Sequence, residues 1–310
     1  MSRPVTDDEI ATFERDGVVP LRQIHPTEWV DDLRVHLDEV FNRTGEDRDA
    51  TWTGSSNTGD RVDMAEVIGS YRSGSPDAEI ALEGGPGATM TGRSIVETDP
   101  AHWHPGLRRH HLESPLPDVV AQLTGSAQVN FYCDQVFLKE PGSRTQTPFH
   151  QDMPYFVVDG GTVAVCWVPV DHVTIETGAM GYVLGSHKWG RTFKLSDFVT
   201  RTGTFPERGG IDLSGLETLP DPDEFTDDLR YFDAEPGDVI VHHWATIHGS
   251  SGNTSSDRLR RAASIRYAGD GCYFYKRPSS PEPFRHTVGL KNGDPLELAD
   301  RFPIVWPRKG

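Results

Sequence analysis

The sequence predicts a mainly β protein, a jelly-roll barrel with flanking α-helices. Two observations carry this. Beyond residue 128, short runs rich in Val, Ile, Phe and Trp are separated by Gly/Pro turns, the pattern of a two-sheet antiparallel barrel. Ahead of them lie amphipathic segments that must bury one apolar stripe against something. No internal repeat, heptad pattern or membrane-length apolar run competes with this reading.

In chain order, a helix is expected at about 6 to 16, a strand at 17 to 22, and a helix at 27 to 42 whose apolar residues recur at 30, 33, 37, 40 and 41. An irregular stretch from 45 to 106 follows. Within it, 23 of the 50 residues from Thr51 to Pro100 are Gly, Ser, Thr or Pro, so part of 51 to 95 is expected to act as a lid. After a helix at 116 to 124, strands are expected at about 128–139, 147–151, 162–170, 180–184, 229–233, 238–244 and 260–268. All 310 residues are expected to form one domain, with the barrel at about 128–270.

The net charge of −17 argues against nucleic acid as a partner, because phosphate binding needs a basic face. From Ile211 to Glu235 there are nine Asp/Glu and one Arg, a run read as a solvated surface insert. Met1 to Asp8 lacks the apolar stretch of a signal peptide, so a cytoplasmic location with no membrane partner is expected. Three cysteines, Cys133, Cys166 and Cys272, have neither CxxC spacing nor an even count, and read as reduced.

The chemistry lies in His150-x-Asp152. Three His-x-Asp/Glu pairs occur, about the number chance supplies in a chain this acidic, so spacing alone decides nothing. His36-x-Asp38 falls on the helix at 27 to 42, where residues two apart point away from each other. His111-x-Glu113 falls in a polar run read as a helix end or loop, and His102-Trp103-His104 is also read as loop. His150 and Asp152 are expected on a strand, where residues two apart share a face and could chelate one ion. Two imidazoles and one carboxylate on one face of a metal are the ligand set of non-haem Fe(II) oxygenases. The third ligand comes from His242, His243 or His248. His248 leads because it opens a Gly/Ser-rich turn at a strand end, with His243 in reserve.

The strand after that turn places Arg258, Arg260, Ala262, Ser264 and Arg266 on one face. An arginine beside small residues there could grip a carboxylate in a bidentate fork.

Several blocks in order resemble the phytanoyl-CoA dioxygenase family of Fe(II)/2-oxoglutarate oxygenases. They are Lys139-Glu140-Pro141-Gly142, Thr147 to Tyr155, Trp167, Gly185 to Gly190, Pro236-Gly237-Asp238, His248-Gly249-Ser250 and Arg260-Arg261-Ala262. The opening from Thr6 to Val19 is similar too. The resemblance implies a double-stranded β-helix, with His150, Asp152 and His248 as iron ligands and Arg260 on the distal carboxylate of 2-oxoglutarate. It also implies that Ser250, Trp167 and Gln135 contact that cosubstrate. The loop before Arg260 is one residue longer than usual, which keeps Arg258 and Arg261 as alternatives, although Arg261 faces the other side of the strand.

The implied reaction consumes O2 and 2-oxoglutarate, releases succinate and CO2, and oxidises, most simply by hydroxylation, an unactivated C–H bond of a small-molecule substrate. Two readings compete with it. A cupin-like metal-dependent isomerase or lyase would not use 2-oxoglutarate, and a non-catalytic homologue would only bind the metal.

Overall fold

A computed structural model describes residues 2–42, 92–143, 145–196, 212–280, 289–298 and 300–308. The expected lid lies outside them, apart from its last few residues.

Helix α1, Asp7–Asp16, starts at a reciprocal cap: Glu9 N donates to Thr6 Oγ1, and Thr6 N donates to Glu9 Oε2 at 2.8 Å. It ends at Gly17, where φ is +73° and a β-carbon would sit 2.2 Å from His187 Nδ1. Both the backbone conformation and the lack of space therefore require glycine. Strand β1, Val18–Leu21, leads to helix α2, Thr27–Phe41, which buries Val30, Leu33, Leu37, Val40 and Phe41, the stripe expected from the sequence. Truncating Leu33 or Leu37 to Ala would cost about 2–5 kcal/mol through lost burial and the cavity left behind. Helices α3, Pro105–Glu113, and α4, Leu116–Thr124, join the helical layer.

This layer packs on one face of a seven-stranded antiparallel sheet. Its order is β1, β9 (Val239–His243), β6 (Val163–Pro169), β11 (Arg260–Ala268), β3 (Val129–Lys139) and β13 (Ile304–Trp306), with β2 (Ser94–Thr98) also on β3. A four-stranded sheet, β4 (Thr147–His150), β10 (His248–Ser250), β7 (Met180–Val183) and β8 (Leu229–Tyr231), faces the other side. The two-residue alternation of strands separates the surfaces. Ala263, Ile265 and Tyr267 of β11 join the helix-side core, whereas Ala262 packs with Trp167, Ile240 and Tyr182 between the sheets. Two short strands, β5 (Val158–Asp159) and β12 (Tyr273–Phe274), pair apart from both sheets.

The architecture is the expected one, but several elements differ. The stretch expected to be irregular up to 106 contains β2 from Ser94, whose alternation is too short to stand out before β3 supplies its partner. Arg108 to Glu113 lie inside α3, because Pro105 fits the first helical turn and His104 caps it, its Nδ1 accepting from Leu107 N at 3.2 Å. His102 ends a 3-10 turn, Pro100–His102. His248 lies within a short strand, held between β4 and β7, where a turn was expected. Of the acidic run read as a solvated surface insert, the strand expected at 229–233 forms as β8 of the smaller sheet, and Glu217 pairs with Arg191 at 2.6 Å. The cysteines are free, as expected.

Candidate metal and cosubstrate site

His150 and His248 face each other across the β4–β10 pairing, with ring centroids 4.3 Å apart. Asp152 reaches them by a route the sequence did not predict. Strand β4 ends at His150, and Asp152 has helical backbone angles (φ −73°, ψ −33°) at the start of a 3-10 turn. The two residues therefore meet through a turn and not through the strand pleat. Asp152 N donates to Trp244 O at 3.0 Å, which fixes that turn.

Each imidazole is oriented by a backbone carbonyl two residues before it. His150 Nδ1 donates to Pro148 O at 2.8 Å, and His248 Nδ1 donates to Thr246 O at 2.9 Å. A carbonyl only accepts, so the proton sits on Nδ1 and Nε2 is the basic nitrogen in both rings. Both Nε2 atoms point at Asp152 Oδ1, at 3.4 Å from His150 and 3.9 Å from His248. The three ligand atoms lie within 4.8 Å of one another, and all three residues are buried. Burial, and then the neighbouring His150, push His248 down to about 4, so its ring is neutral at pH 7. Burial works to raise the Asp152 pKa, but the Arg266 guanidinium, with His150 and His248, holds it well below the usual carboxylate range. Two imidazole nitrogens and one carboxylate suit a borderline divalent metal such as Fe(II).

Neither of the other candidate histidines joins the cluster. His243 accepts from Ala245 N at 3.2 Å through Nδ1 and faces His187. His242 points between the sheets with its ring tilted against that of His248, centroids 4.4 Å apart, but adds no ligand atom to the cluster.

Of the three candidate arginines, Arg258 pairs with Glu176 at the surface, and Arg261 pairs with Asp171 and Asp38 on the helix side. Arg260 is 1% exposed and enters the space between the sheets. Its guanidinium lies 4.9 Å from the Trp167 ring, and its Nη2 donates to Gly178 O at 3.1 Å. No carboxylate pairs with it among the described residues, and its Nε makes no hydrogen bond there. Burial pulls its pKa down to about 10, still charged at neutral pH. A buried charge without a counter-charge is expensive, so the arrangement suits an anionic ligand. Tyr182 is fully buried beside it in the same space, and its hydroxyl is likewise unpaired among the described residues.

Ser250 lies two residues beyond His248, and its Oγ accepts from the buried Lys139 Nζ at 2.9 Å. Gln135 Oε1 accepts from Arg266 Nη2 at 2.6 Å, and its Nε2 donates to Thr98 Oγ1 at 3.2 Å. Lys139, Tyr182 and Arg266 had no role in the sequence reading. For Arg266 a signal existed, since it shares a strand face with Arg260. Tyr182 sits in an apolar run, and only its missing hydrogen bond marks it.

The sequence matches the family model described as Phytanoyl-CoA dioxygenase (PhyH) across residues 13–262. A Caenorhabditis elegans phytanoyl-CoA dioxygenase domain-containing protein 1 homolog is 22% identical over 267 residues, covering 82% of this chain and 87% of that protein. An Arabidopsis thaliana phytanoyl-CoA dioxygenase is 22% identical over 294 residues, 90% and 96% of the two chains. A further C. elegans relative, 29% identical over 160 residues, is matched over 47% of its own length. In fold, the chain is similar to the non-heme alpha ketoglutarate dependent carbocyclase SnoK from nogalamycin biosynthesis, with TM-score 0.64, 20% identity and 97% and 96% coverage. The epimerase SnoN, solved in complex with Fe3+, alpha ketoglutarate and nogalamycin RO, gives TM-score 0.62 at 20% identity, covering 96% and 98%. With the family model spanning most of the sequence and a His–Asp–His cluster inside the barrel, the chain belongs to the phytanoyl-CoA dioxygenase family of non-haem iron, 2-oxoglutarate-dependent oxygenases.

Proposed function

We propose that this enzyme hydroxylates an unactivated C–H bond of a small organic metabolite, coupling that oxidation to conversion of 2-oxoglutarate to succinate and CO2. The observation that carries the reading is the convergence of His150 Nε2, His248 Nε2 and Asp152 Oδ1 in a buried cluster with no further protein ligand among the described residues. In this reading the three residues hold Fe(II), which when bound supplies O2 activation. Arg260, over the Trp167 ring, grips the distal carboxylate of 2-oxoglutarate, and the Tyr182 hydroxyl and Ser250 supply further polar groups for it. The barrel contributes position and dryness: His150, Asp152, His248, Trp167 and Arg260 are each at most 7% exposed.

Asp152 also bears on outcome. Members of the family that halogenate carry Gly or Ala there, which frees a coordination position for chloride. Retention of the carboxylate supports oxygenation. The family's name is not taken as the substrate, because a field of −17 does not assist a polyanionic thioester. We place the enzyme in the cytosol, as a single domain.

Candidate metabolites are to be screened for substrate-stimulated succinate release with Fe(II), 2-oxoglutarate and ¹⁸O₂. One ¹⁸O atom in the organic product is expected. Succinate release with an unlabelled, isomerised or cyclised product would replace hydroxylation by the outcomes named for SnoN and SnoK. Turnover without 2-oxoglutarate consumption would overturn the reading.

A further inference from the structure

We infer that Arg266 is a positioning residue that restricts Asp152 to one metal-binding oxygen. This rests on the triad being the metal site proposed above. The two carboxylate oxygens of Asp152 have different surroundings. Oδ1 faces the two imidazoles, whereas Oδ2 lies 3.5 Å from Arg266 Nε. Oδ2 and that Nε are both buried, and neither makes a hydrogen bond among the described residues, so their ion pair is the polar contact each has there.

Neither partner is free to swing. Arg266 Nη2 donates to Gln135 Oε1 at 2.6 Å and Nη1 to Ser264 O at 3.3 Å, while its guanidinium lies 5.4 Å from the Phe156 ring. Gln135 is itself held by Thr98, and Asp152 is held by its backbone bond to Trp244. The structure thus gives Gln135 a defined role as the support of Arg266.

Arg266 is 4% exposed and sits on the central strand β11. A buried ion pair contributes little net stability, because desolvation offsets the attraction, so such a costly cation calls for another explanation. Coordination geometry supplies one. A carboxylate that chelates through both oxygens must bring both toward the ion, and a cation drawing Oδ2 away opposes this. In an octahedral ion, two imidazoles and one oxygen leave three positions, enough for a bidentate 2-oxo acid and for O2. Two oxygens from Asp152 would leave two positions, and the cosubstrate would fill both. Arg266, acting through Asp152, keeps the last position available.

The test uses Mn(II) in place of Fe(II), with saturating 2-oxoglutarate and no O2, and reads inner-sphere water by water-proton relaxation. The wild-type protein is expected to retain one exchangeable water on Mn(II). Arg266→Gln is expected to bind one Mn(II) and lose that water. Its turnover with Fe(II) should fall about 10–100-fold, the usual effect of removing an outer partner of a metal ligand. The 2-oxoglutarate KM should hold, because Arg260 is untouched, and Arg266→Lys should restore part of the water signal. Gln135→Leu, which keeps the charge but removes its support, should lower the signal in the same direction and serves if Arg266→Gln does not fold. A full water signal in both variants with Mn(II) bound would overturn the inference. Wild-type protein that binds no Mn(II), or His150→Ala protein that binds it normally, would overturn the triad assignment and this inference with it.

Discussion

Two buried groups of histidines with one carboxylate lie on opposite faces of the large sheet, and they do opposite things. Between the sheets, His150 and His248 spend their Nδ1 protons on carbonyls two residues back in the chain, which turns both Nε2 atoms toward Asp152. Under the helices, His25, His110, His111 and Asp134 form a chain. His25 Nε2 meets His110 Nε2 at 3.1 Å, His110 Nδ1 meets His111 Nδ1 at 3.1 Å, and His111 Nε2 meets Asp134 Oδ2 at 3.0 Å. With Asp134 ionised, one proton arrangement satisfies every link: His111 donates from Nε2, His110 from Nδ1 and His25 from Nε2. Every donor in the chain is spent within it, only His25 Nδ1 staying unpaired among the described residues, and it ties the turn before α2, together with α3, to β3. The cluster between the sheets leaves its acceptors convergent. The same residue types make a structural seam in one place and a ligand site in the other, and hydrogen-bond accounting separates them.

The comparison breaks most visibly if metal binding survives loss of a convergent ligand. His248→Ala and Asp152→Ala are each expected to abolish stoichiometric Fe(II) binding and turnover while leaving the far-UV circular dichroism unchanged. Full activity in His248→Ala would refute the assignment. Arg260→Ala comes next. Loss of a charge-assisted pair worth about 1.5–3 kcal/mol should raise the 2-oxoglutarate requirement roughly 10–100-fold. Arg260→Lys should recover part, and Arg258→Ala, whose side chain is engaged by Glu176, should change nothing.

The helix-side chain should respond in stability and not in metal binding. His110→Leu strands His25 and His111, and a loss of about 1–3 kcal/mol is expected for each buried group left unpaired. Urea midpoints would fall while Fe(II) stoichiometry held. Its pH dependence follows from His25, pushed down from 6.5 to about 3 by burial and then by the nearby His111. Between those values the unfolded chain holds a proton that the folded chain excludes. The contribution is therefore complete above about pH 6.5 and is lost as pH falls toward 3. Replacing His25 by Phe should flatten part of that decline in urea midpoints measured from pH 7 to 4.

The smallest effect is expected at His36, Glu39 and His104, whose ligand atoms also lie within 4.8 Å of one another but at a partly exposed site. His104 Nδ1 already accepts from Leu107 N, so Nε2 carries the proton and faces Glu39 Oε2 at 3.1 Å. Metal binding there would require giving up the helix cap. One metal per chain is expected, and His36→Ala should leave that count unchanged in elemental analysis.

Much of this was legible in the residues. The stripe at 30, 33, 37, 40 and 41 located α2, and the alternation from Arg260 to Tyr267 located both faces of β11, because local periodicity maps directly onto a helix side or a strand face. Strands β2 and β13 escaped because each is only a few residues long and gains its bonds from β3. His111 was set aside with a polar run, although it is fully buried. Polarity argues for exposure only until a partner such as Asp134 is found, and that partner lies in another element.

The sequence by itself determined the fold class, the longer periodic elements, the family and the set of residues able to meet at a metal, since those depend on periodicity and on ordered motifs. Tertiary structure decided which of them meet, and how. It brought Asp152 to the imidazoles through a turn, and it committed Arg258 and Arg261 to other carboxylates while burying Arg260 without one. It also set Arg266 on the outer oxygen of Asp152. These are outcomes of hydrogen bonding and desolvation between residues distant in the chain, and no local pattern encodes them.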